Sequence, residues 1–232
     1  MKYIEDSELG IIKLQANVRA KRFVARYRDG EFLLTYPSFV SDKEIKVAIN
    51  QMRDRLLQMK SKSSVQFVFD ENTSFSTLTF RLEVKSNTLN NIYTSLKDGI
   101  LSISYPKSVN LADENFQTQI KETIENACRK EANRIFLNRV SELAKIHNFI
   151  VGTVKINKSR SRWGSCSSKK NINLSYFCMM LPEHLVDFII LHELCHTVEM
   201  NHGPRFWALL DSVSNNRAKA LTQELKNTKL KW

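Results

Sequence analysis

The residues of this chain that could carry out metal chemistry lie between positions 192 and 202. His192-Glu193-Leu194-Cys195-His196 has the pattern H-E-x-x-H, and His202 follows six residues later. Two histidines four residues apart on a helix share one face, so both imidazoles can bind the same Zn²⁺ ion. The glutamate between them can then reach a water molecule on that ion. The spacing predicts a zinc-dependent hydrolase, with peptide bonds as the favoured substrate.

Two residues compete to be the third zinc ligand. Glu199 lies three residues after His196, so a helix that continues to Met200 would keep it on the face of the first two ligands. His202 follows the expected helix end, and a ligand beyond a turn can approach the ion from another direction. Tetrahedral coordination therefore favours His202. Glu199 is then predicted to orient a ligand imidazole as a hydrogen-bond acceptor, and Glu193 to act as the general base.

Hydrophobic periodicity predicts the elements that must position these residues. The helix expected from about Glu183 to Met200 is apolar nearly all round, which is typical of a buried helix. Residues 113–147 also keep helical spacing, over a length that leaves room for a break. The other elements predicted here are strands at 153–158 and 172–179 with a basic, serine-rich loop between them, an amphipathic segment at 206–213 and a last helix, fraying at its end, within 217–232.

The N-terminal part is predicted to be rich in β-structure. Strands are expected at 11–18, 22–27 and 32–36, with Asp29-Gly30 as a hairpin turn. Ser41 and Glu44 form a capping box ahead of one helix whose apolar face extends from Ile45 to Met59. Further strands are predicted at 65–69 and 78–84, with a weaker hairpin near 92–93 and 100–105. No internal repeat is recognised in this pattern.

Composition narrows the class of protein. The chain has 232 residues, of which 42% are hydrophobic, and a formal net charge of +11. No apolar run is long enough to cross a bilayer, and the acidic N-terminus is unlike a signal peptide. The four cysteines lack the paired spacing of a disulfide framework, which favours a cytoplasmic protein. The positive charge could attract nucleic acid, although charge alone is weak evidence, and the oligomeric state is left open.

Several motifs together resemble the YgjP-like metallopeptidase family, which is related to the SprT-like and Wss1-like proteases. The resemblance covers almost the whole chain and is most specific in the C-terminal half. It implies a zincin-like domain with His192, His196 and His202 as zinc ligands and Glu193 as the catalytic residue. The motifs are Ser161-Arg162-Trp163-Gly164-Ser165-Cys166, Leu174-Ser175, Leu181-Pro182, the His192–His196 motif and Asn201-His202-Gly203-Pro204-Arg205-Phe206-Trp207.

With this resemblance, the expected fold is α+β. A zincin-like metallopeptidase domain at residues 107–232 is preceded by a β-rich region with a helix at residues 1–106. The family's Arg-Trp-Gly-Ser-Cys run falls on 162–166 and is expected to be a loop at the cleft, where an edge strand could bind extended substrate. Arg162 could stabilise an oxyanion and Trp163 could wall a subsite, or both could simply pack. A structural or substrate-positioning role is favoured for both.

Three alternatives were weighed against this interpretation. The histidine spacing also resembles that of the metzincins, but Glu199 stands at the glycine position and no methionine turn follows His202. A DNA-associated protease is suggested by the SprT-like and Wss1-like relatives and by the net charge of +11. A non-catalytic, metal-stabilised binding module would instead require a closed site with four protein ligands.

Overall fold

The structure, a computed structural model, describes residues 2–28, 30–64 and 67–228, without the side chains of Arg28 and of residues 62–64. The chain forms two compact units, one within residues 1–67 and one within residues 68–231. The domain boundary expected between residues 106 and 107 falls inside the second unit. The described residues form six α-helices and three small sheets, which confirms the α+β class. None of the described helices is long and apolar enough to span a membrane.

The first unit is a four-stranded sheet with two helices. Its strands β1 (Lys2–Asp6), β2 (Gly10–Asn17), β3 (Val24–Arg28) and β4 (Glu31–Pro37) lie in the order β1-β2-β4-β3. Alternate residues of β2 and β4 are buried, as expected for a sheet with one covered face. The helices α1 (Asp42–Gln51) and α2 (Arg53–Ser64) supply Ile45, Ile49 and Leu56 to the same core.

Two predictions for this unit are tested by the structure. The capping box is confirmed, since the Ser41 hydroxyl accepts from the Glu44 amide and the Glu44 carboxylate accepts from the Ser41 amide. The single helix expected from Ile45 to Met59 is wrong, because the chain divides at Met52, whose amide bonds to the carbonyls of both Ala48 and Ile49. Strand β1 was not predicted, because its short, acidic sequence has little alternation of its own.

The second unit begins with a three-stranded sheet of β5 (Arg81–Asn87), β6 (Tyr93–Lys97) and β7 (Ile100–Pro106), in the order β5-β7-β6. The hairpin expected near 92–105 is confirmed. The strand predicted at 78–84 is displaced toward the C-terminus. Of the strand predicted at 65–69, Val65 and Gln66 lie outside the described residues, and 67–69 do not form a strand.

The two units contain the same strand arrangement. β2 is parallel to β4 and β3 is antiparallel to it, and β5, β7 and β6 have the same relations. β4 and β7 share one burial pattern, which ends in a buried Tyr-Pro pair. In the sequence, the Asp-Gly pairs at 29–30 and 98–99 and the Tyr-Pro pairs at 36–37 and 105–106 are all offset by 69 residues. The absence of an internal repeat was therefore a wrong prediction.

The remainder of the second unit carries the predicted site. It comprises the helix α3 (Glu114–Ile146), the strands β8 (Val154–Asn157), β9 (Gly164–Cys166) and β10 (Ile172–Ser175) in the order β8-β10-β9, a 3₁₀ segment (Tyr176–Met180), and the helices α4 (Glu183–Cys195), α5 (Pro204–Val213) and α6 (Ala218–Asn227).

Several boundaries in this part differ from the predictions. Helix α3 is continuous over 33 residues, and the break that its length allows does not occur. The strand expected to reach Met179 ends at Ser175, whose hydroxyl accepts from the Phe177 amide and starts the 3₁₀ segment. The predicted loop after β8 contains the short strand β9 at the edge of its sheet. Helix α4 ends at Cys195 instead of Met200, with consequences for the site.

Candidate active site

Three imidazoles converge where the metal site was predicted. The Nε2 atoms of His192 and His196 lie 3.2 Å apart, those of His196 and His202 3.2 Å, and those of His202 and His192 3.0 Å. Among the described residues, these three histidines form the group of side chains able to hold a metal ion, and Glu199 is not part of it. The geometry therefore favours His202 over Glu199 as the third ligand.

The triangle of nitrogen atoms has the dimensions that zinc requires. A tetrahedral zinc ion with bonds of about 2.0–2.1 Å holds its ligand nitrogens roughly 3.3 Å apart. His196 also has its tautomer fixed, because its Nδ1 lies 3.0 Å from the backbone carbonyl of Glu199, which can only accept. The proton therefore sits on Nδ1, and Nε2 is left with a lone pair directed at the other two rings. This donor set fits a bound cation.

The protonation of the ligands also suits metal binding. Burial, followed by the neighbouring imidazoles, lowers the pKa of His192 to about 4. Burial likewise lowers the pKa of His196, although its hydrogen bond to Glu199 opposes the shift. Both rings are consequently neutral at pH 7, which is the form that binds a metal ion.

The end of helix α4 explains the position of Glu199. The amide and the hydroxyl of Thr197 both donate to the Leu194 carbonyl, which tightens and ends the helix. Val198, expected on the buried helix, is consequently exposed. The predicted role of Glu199 as an acceptor for a ligand imidazole is performed by its backbone carbonyl, and the predicted helical position of its carboxylate is wrong.

Phe206, on α5, holds the three rings in place. Its fully buried ring has centroid distances of 4.9, 4.5 and 4.6 Å to His192, His196 and His202. Such packing restricts the rotation of each imidazole. Phe206 had no predicted role beyond its place in a motif, because a buried aromatic residue in an amphipathic helix is usually only part of a core.

Glu193 is a buried carboxylate beside the histidines. It is 5% exposed, and its Oε2 atom has no hydrogen-bond partner within the described structure. Burial raises the pKa of Glu193 to about 7. A carboxylate with this pKa can take up and release a proton near neutral pH, as a general base requires.

Gly164 allows the Glu193 side chain its position. A Cβ atom at Gly164 would lie 2.6 Å from Oε1 and 2.7 Å from Cγ of Glu193. Those distances are well inside the van der Waals separation of about 3.5 Å. Only glycine therefore fits in β9 opposite this carboxylate. This requirement was not predicted, because Gly164 was expected in a loop, whereas it is a glycine inside a strand that signals close approach.

The structure separates Arg162 from Trp163. Trp163 and Gly164 line a pocket of 210 Å³ together with His192 and Glu193. Arg162 is exposed and lines a different pocket with polar residues of the loop, among them Ser159 and Ser161. The geometry thus places Trp163 beside the candidate chemistry and Arg162 in a neighbouring pocket that shares Gly164 with the first.

Ion pairs fix the elements around the site. The guanidinium of Arg139 on α3 donates to both carboxylate oxygens of Asp187 on α4, at 2.7 and 2.6 Å. Glu125, also on α3, accepts from Arg160 at 2.8 Å in the loop before β9. Helix α3 is thereby tied to both segments that carry site residues.

Comparison with known proteins agrees with this geometry. The family model for the YgjP-like metallopeptidase domain matches residues 21–228, nearly the whole chain. The chain belongs to the YgjP-like metallopeptidase family. The resemblance noted from the sequence motifs is therefore confirmed, and the YgjP-like match includes the convergent histidines and Glu193.

Two solved structures are similar to part of this YgjP-like chain. The metallopeptidase zymogen of Methanocaldococcus jannaschii jannalysin is 26% identical, with a TM-score of 0.34. The match covers 38% of this chain and 91% of the jannalysin chain. The metallopeptidase zymogen of Pyrococcus abyssi abylysin is 18% identical, with a TM-score of 0.32. The match covers 40% of this chain and 97% of the abylysin chain. No curated protein matches the chain significantly.

Proposed function

We propose that this metallopeptidase is zinc-dependent, with His192, His196 and His202 as the ligands and Glu193 as the general base. The observation that carries the proposal is the triangle of three Nε2 atoms, 3.0–3.2 Å apart, next to a buried carboxylate without a partner. Three protein ligands leave a fourth position for water or substrate, which is typical of catalytic zinc sites. This argues against the closed site of a purely structural module.

Each residue has a defined task in this mechanism. Zinc, when bound, supplies Lewis-acid activation of the water nucleophile and of the scissile carbonyl. Glu193 accepts the proton of the attacking water and delivers it to the leaving amine. Phe206 and the Glu199 carbonyl hold the imidazoles in orientation. Gly164 leaves room for the carboxylate to remain beside the substrate.

The decisive variant is Glu193→Gln. It keeps the shape of the side chain and removes the base, so we expect unchanged zinc content and a loss of peptide hydrolysis of about 10²–10⁴-fold. Zinc per chain is measured by elemental analysis, and cleavage of an unbiased peptide library by mass spectrometry. Wild-type protein treated with chelator and then given zinc serves as the control.

A second pair of variants tests the ligands. His202→Ala removes one corner of the triangle and is expected to lose most of the zinc at neutral pH. Glu199→Ala keeps the backbone carbonyl that orients His196, so this variant should retain its zinc. If Glu199→Ala loses the metal and His202→Ala keeps it, the assignment of the third ligand is wrong.

A further inference from the structure

The pocket beside His192 and Glu193 has walls from three elements. Trp163 and Gly164 of β9 form one wall, and Thr222 and Leu225 of α6 form another. The rest of the lining comes from α4, namely Phe188, Ile189, His192 and Glu193. Its volume of 210 Å³ is below the roughly 300–1,000 Å³ of pockets for whole small ligands. The pocket is therefore of a size for one side chain.

The chemistry of the lining selects an apolar occupant. Apart from the site residues His192 and Glu193, the lining side chains carry no charge. The one hydroxyl, that of Thr222, donates to the Ala218 carbonyl of its own helix at 2.7 Å. An acidic side chain entering here would be desolvated without a partner of opposite charge among the lining side chains, which is costly. An apolar side chain would exchange water for aromatic and aliphatic surface.

Helix α6 is held firmly enough to act as a wall. His184 on α4 pairs with Glu224 at 2.7 Å, and the Asp211 carboxylate accepts from the Ala218 amide at 3.0 Å. Ala218 and Leu221 on the same helix are buried. Thr222 and Leu225 are consequently fixed relative to the helix that carries the site.

We propose that this pocket binds one apolar side chain of the peptide substrate beside the scissile bond, and that Thr222 and Leu225 set the size it accepts. The inference rests on the proposed function, because the occupant is a peptide at the catalytic site. It adds a substrate class, peptides with a residue such as leucine at that position, and two specificity-determining residues on α6.

The test measures binding without cleavage. Full-length, zinc-loaded Glu193→Gln protein is titrated with short polyglycine peptides that contain a single alanine, leucine, phenylalanine or aspartate, and the dissociation constants are determined by NMR chemical-shift changes. Because one methylene in an apolar pocket changes affinity about 10-fold or more, leucine should bind at least ten times more tightly than alanine. Aspartate should bind more weakly than alanine.

Two variants in the Glu193→Gln background move the preference in opposite directions. Thr222→Phe fills the pocket and should weaken leucine binding about ten-fold while alanine binding is kept. Leu225→Ala enlarges the pocket and should favour phenylalanine over leucine. Gln223→Phe places the same large ring on the exposed face of α6 and should change nothing.

The outcomes separate this inference from the proposed function. Equal affinities for the four peptides, no binding at all, or a loss in Thr222→Phe that is the same for every peptide overturns the pocket assignment. If Thr222→Phe does not fold, the opposite shift in Leu225→Ala remains decisive. Cleavage of the peptides by the Glu193→Gln protein, detected by mass spectrometry, would instead overturn the general-base role and leave the binding preference intact.

Discussion

Glu193 occupies a position in which burial opposes its charge. The carboxylate is 5% exposed and has an oxygen without a partner, so the ionised form lacks the solvation that water would give it. If the role of Glu193 were only structural, a neutral side chain at this position would make the folded protein more stable. The conflict is understandable if the carboxylate serves the reaction, since active sites often retain such destabilising groups.

The conflict predicts a stabilising variant. Burial raises the pKa of Glu193 from 4.5 to about 7, so the folded state binds the proton more tightly than the unfolded state. Stability of the metal-free protein therefore falls as pH rises between these values, by roughly 3 kcal/mol. Glu193→Gln should unfold at a higher denaturant concentration than wild type at pH 8, in the presence of chelator.

The same comparison at pH 4 provides the control. There the wild-type carboxyl is protonated in both states, and the two proteins should have nearly equal midpoints. Equal stability at pH 8 would show that the ionised carboxylate is solvated and not strained.

Gly164 yields a second prediction for a single residue. A methyl group there would displace the Glu193 carboxylate, and a displacement of about 1 Å at a catalytic group can cost roughly 10²-fold in rate. Gly164→Ala should therefore lose peptidase activity and keep its zinc. Gly203→Ala is the matched control, because its added Cβ meets no atom within 4 Å. Full activity in Gly164→Ala would contradict the close approach.

The spacing of His192 and His196 was enough to predict that their rings converge, because a helix converts i and i+4 into neighbours. The role of Glu199 depended on where that helix ended, and the end is set by Thr197 bonding to the Leu194 carbonyl. The contact of Phe206 with the imidazole rings depended on how α5 packs beside the end of α4. Such long-range arrangements have no local signal in the sequence.

At the level of elements, segments with strong hydrophobic periodicity were predicted. A very short strand, and a strand end set by one side-chain hydrogen bond, were not. Helix α3 and the two hairpins follow from the pattern of their apolar residues, while Asp29 of the predicted Asp-Gly turn lies outside the described residues. Strand β9 has three residues and exists through its pairing with β10. Ser175 ends β10 through a hydrogen bond that the alternation of residues 172–179 does not reveal.

Glu125 connects α3 to the loop before β9, and this connection can be tested. Its carboxylate, 8% exposed, accepts from Lys158, Arg160 and the Tyr176 hydroxyl at 2.6–2.9 Å. Removing the carboxylate leaves the buried Tyr176 hydroxyl without its acceptor and takes two ion pairs away from α3, so Glu125→Ala should cost about 2 kcal/mol. We also expect faster hydrogen exchange in residues 158–163. Glu122→Ala, exposed on the same helix, should leave both measurements unchanged.

For the whole molecule, the net charge of +11 keeps the hypothesis of a DNA-associated protease open. Part of the basic loop is already engaged, since Lys158 and Arg160 pair with Glu125. If several other basic residues contact phosphates, the affinity for duplex DNA should fall by about 10³-fold between roughly 50 and 200 mM salt. Fluorescence anisotropy measures this. Absent or salt-independent binding would contradict the hypothesis.

The strand arrangement that occurs twice has a consequence for protein engineering. The copy formed by β2, β4 and β3 reproduces the strand arrangement and the buried Tyr-Pro end of β5, β7 and β6, yet the three convergent histidines all lie in the other unit. The described residues of this copy include none of those proposed for catalysis. A designer who wished to graft new chemistry onto this chain would find in the first copy a natural template without catalytic residues.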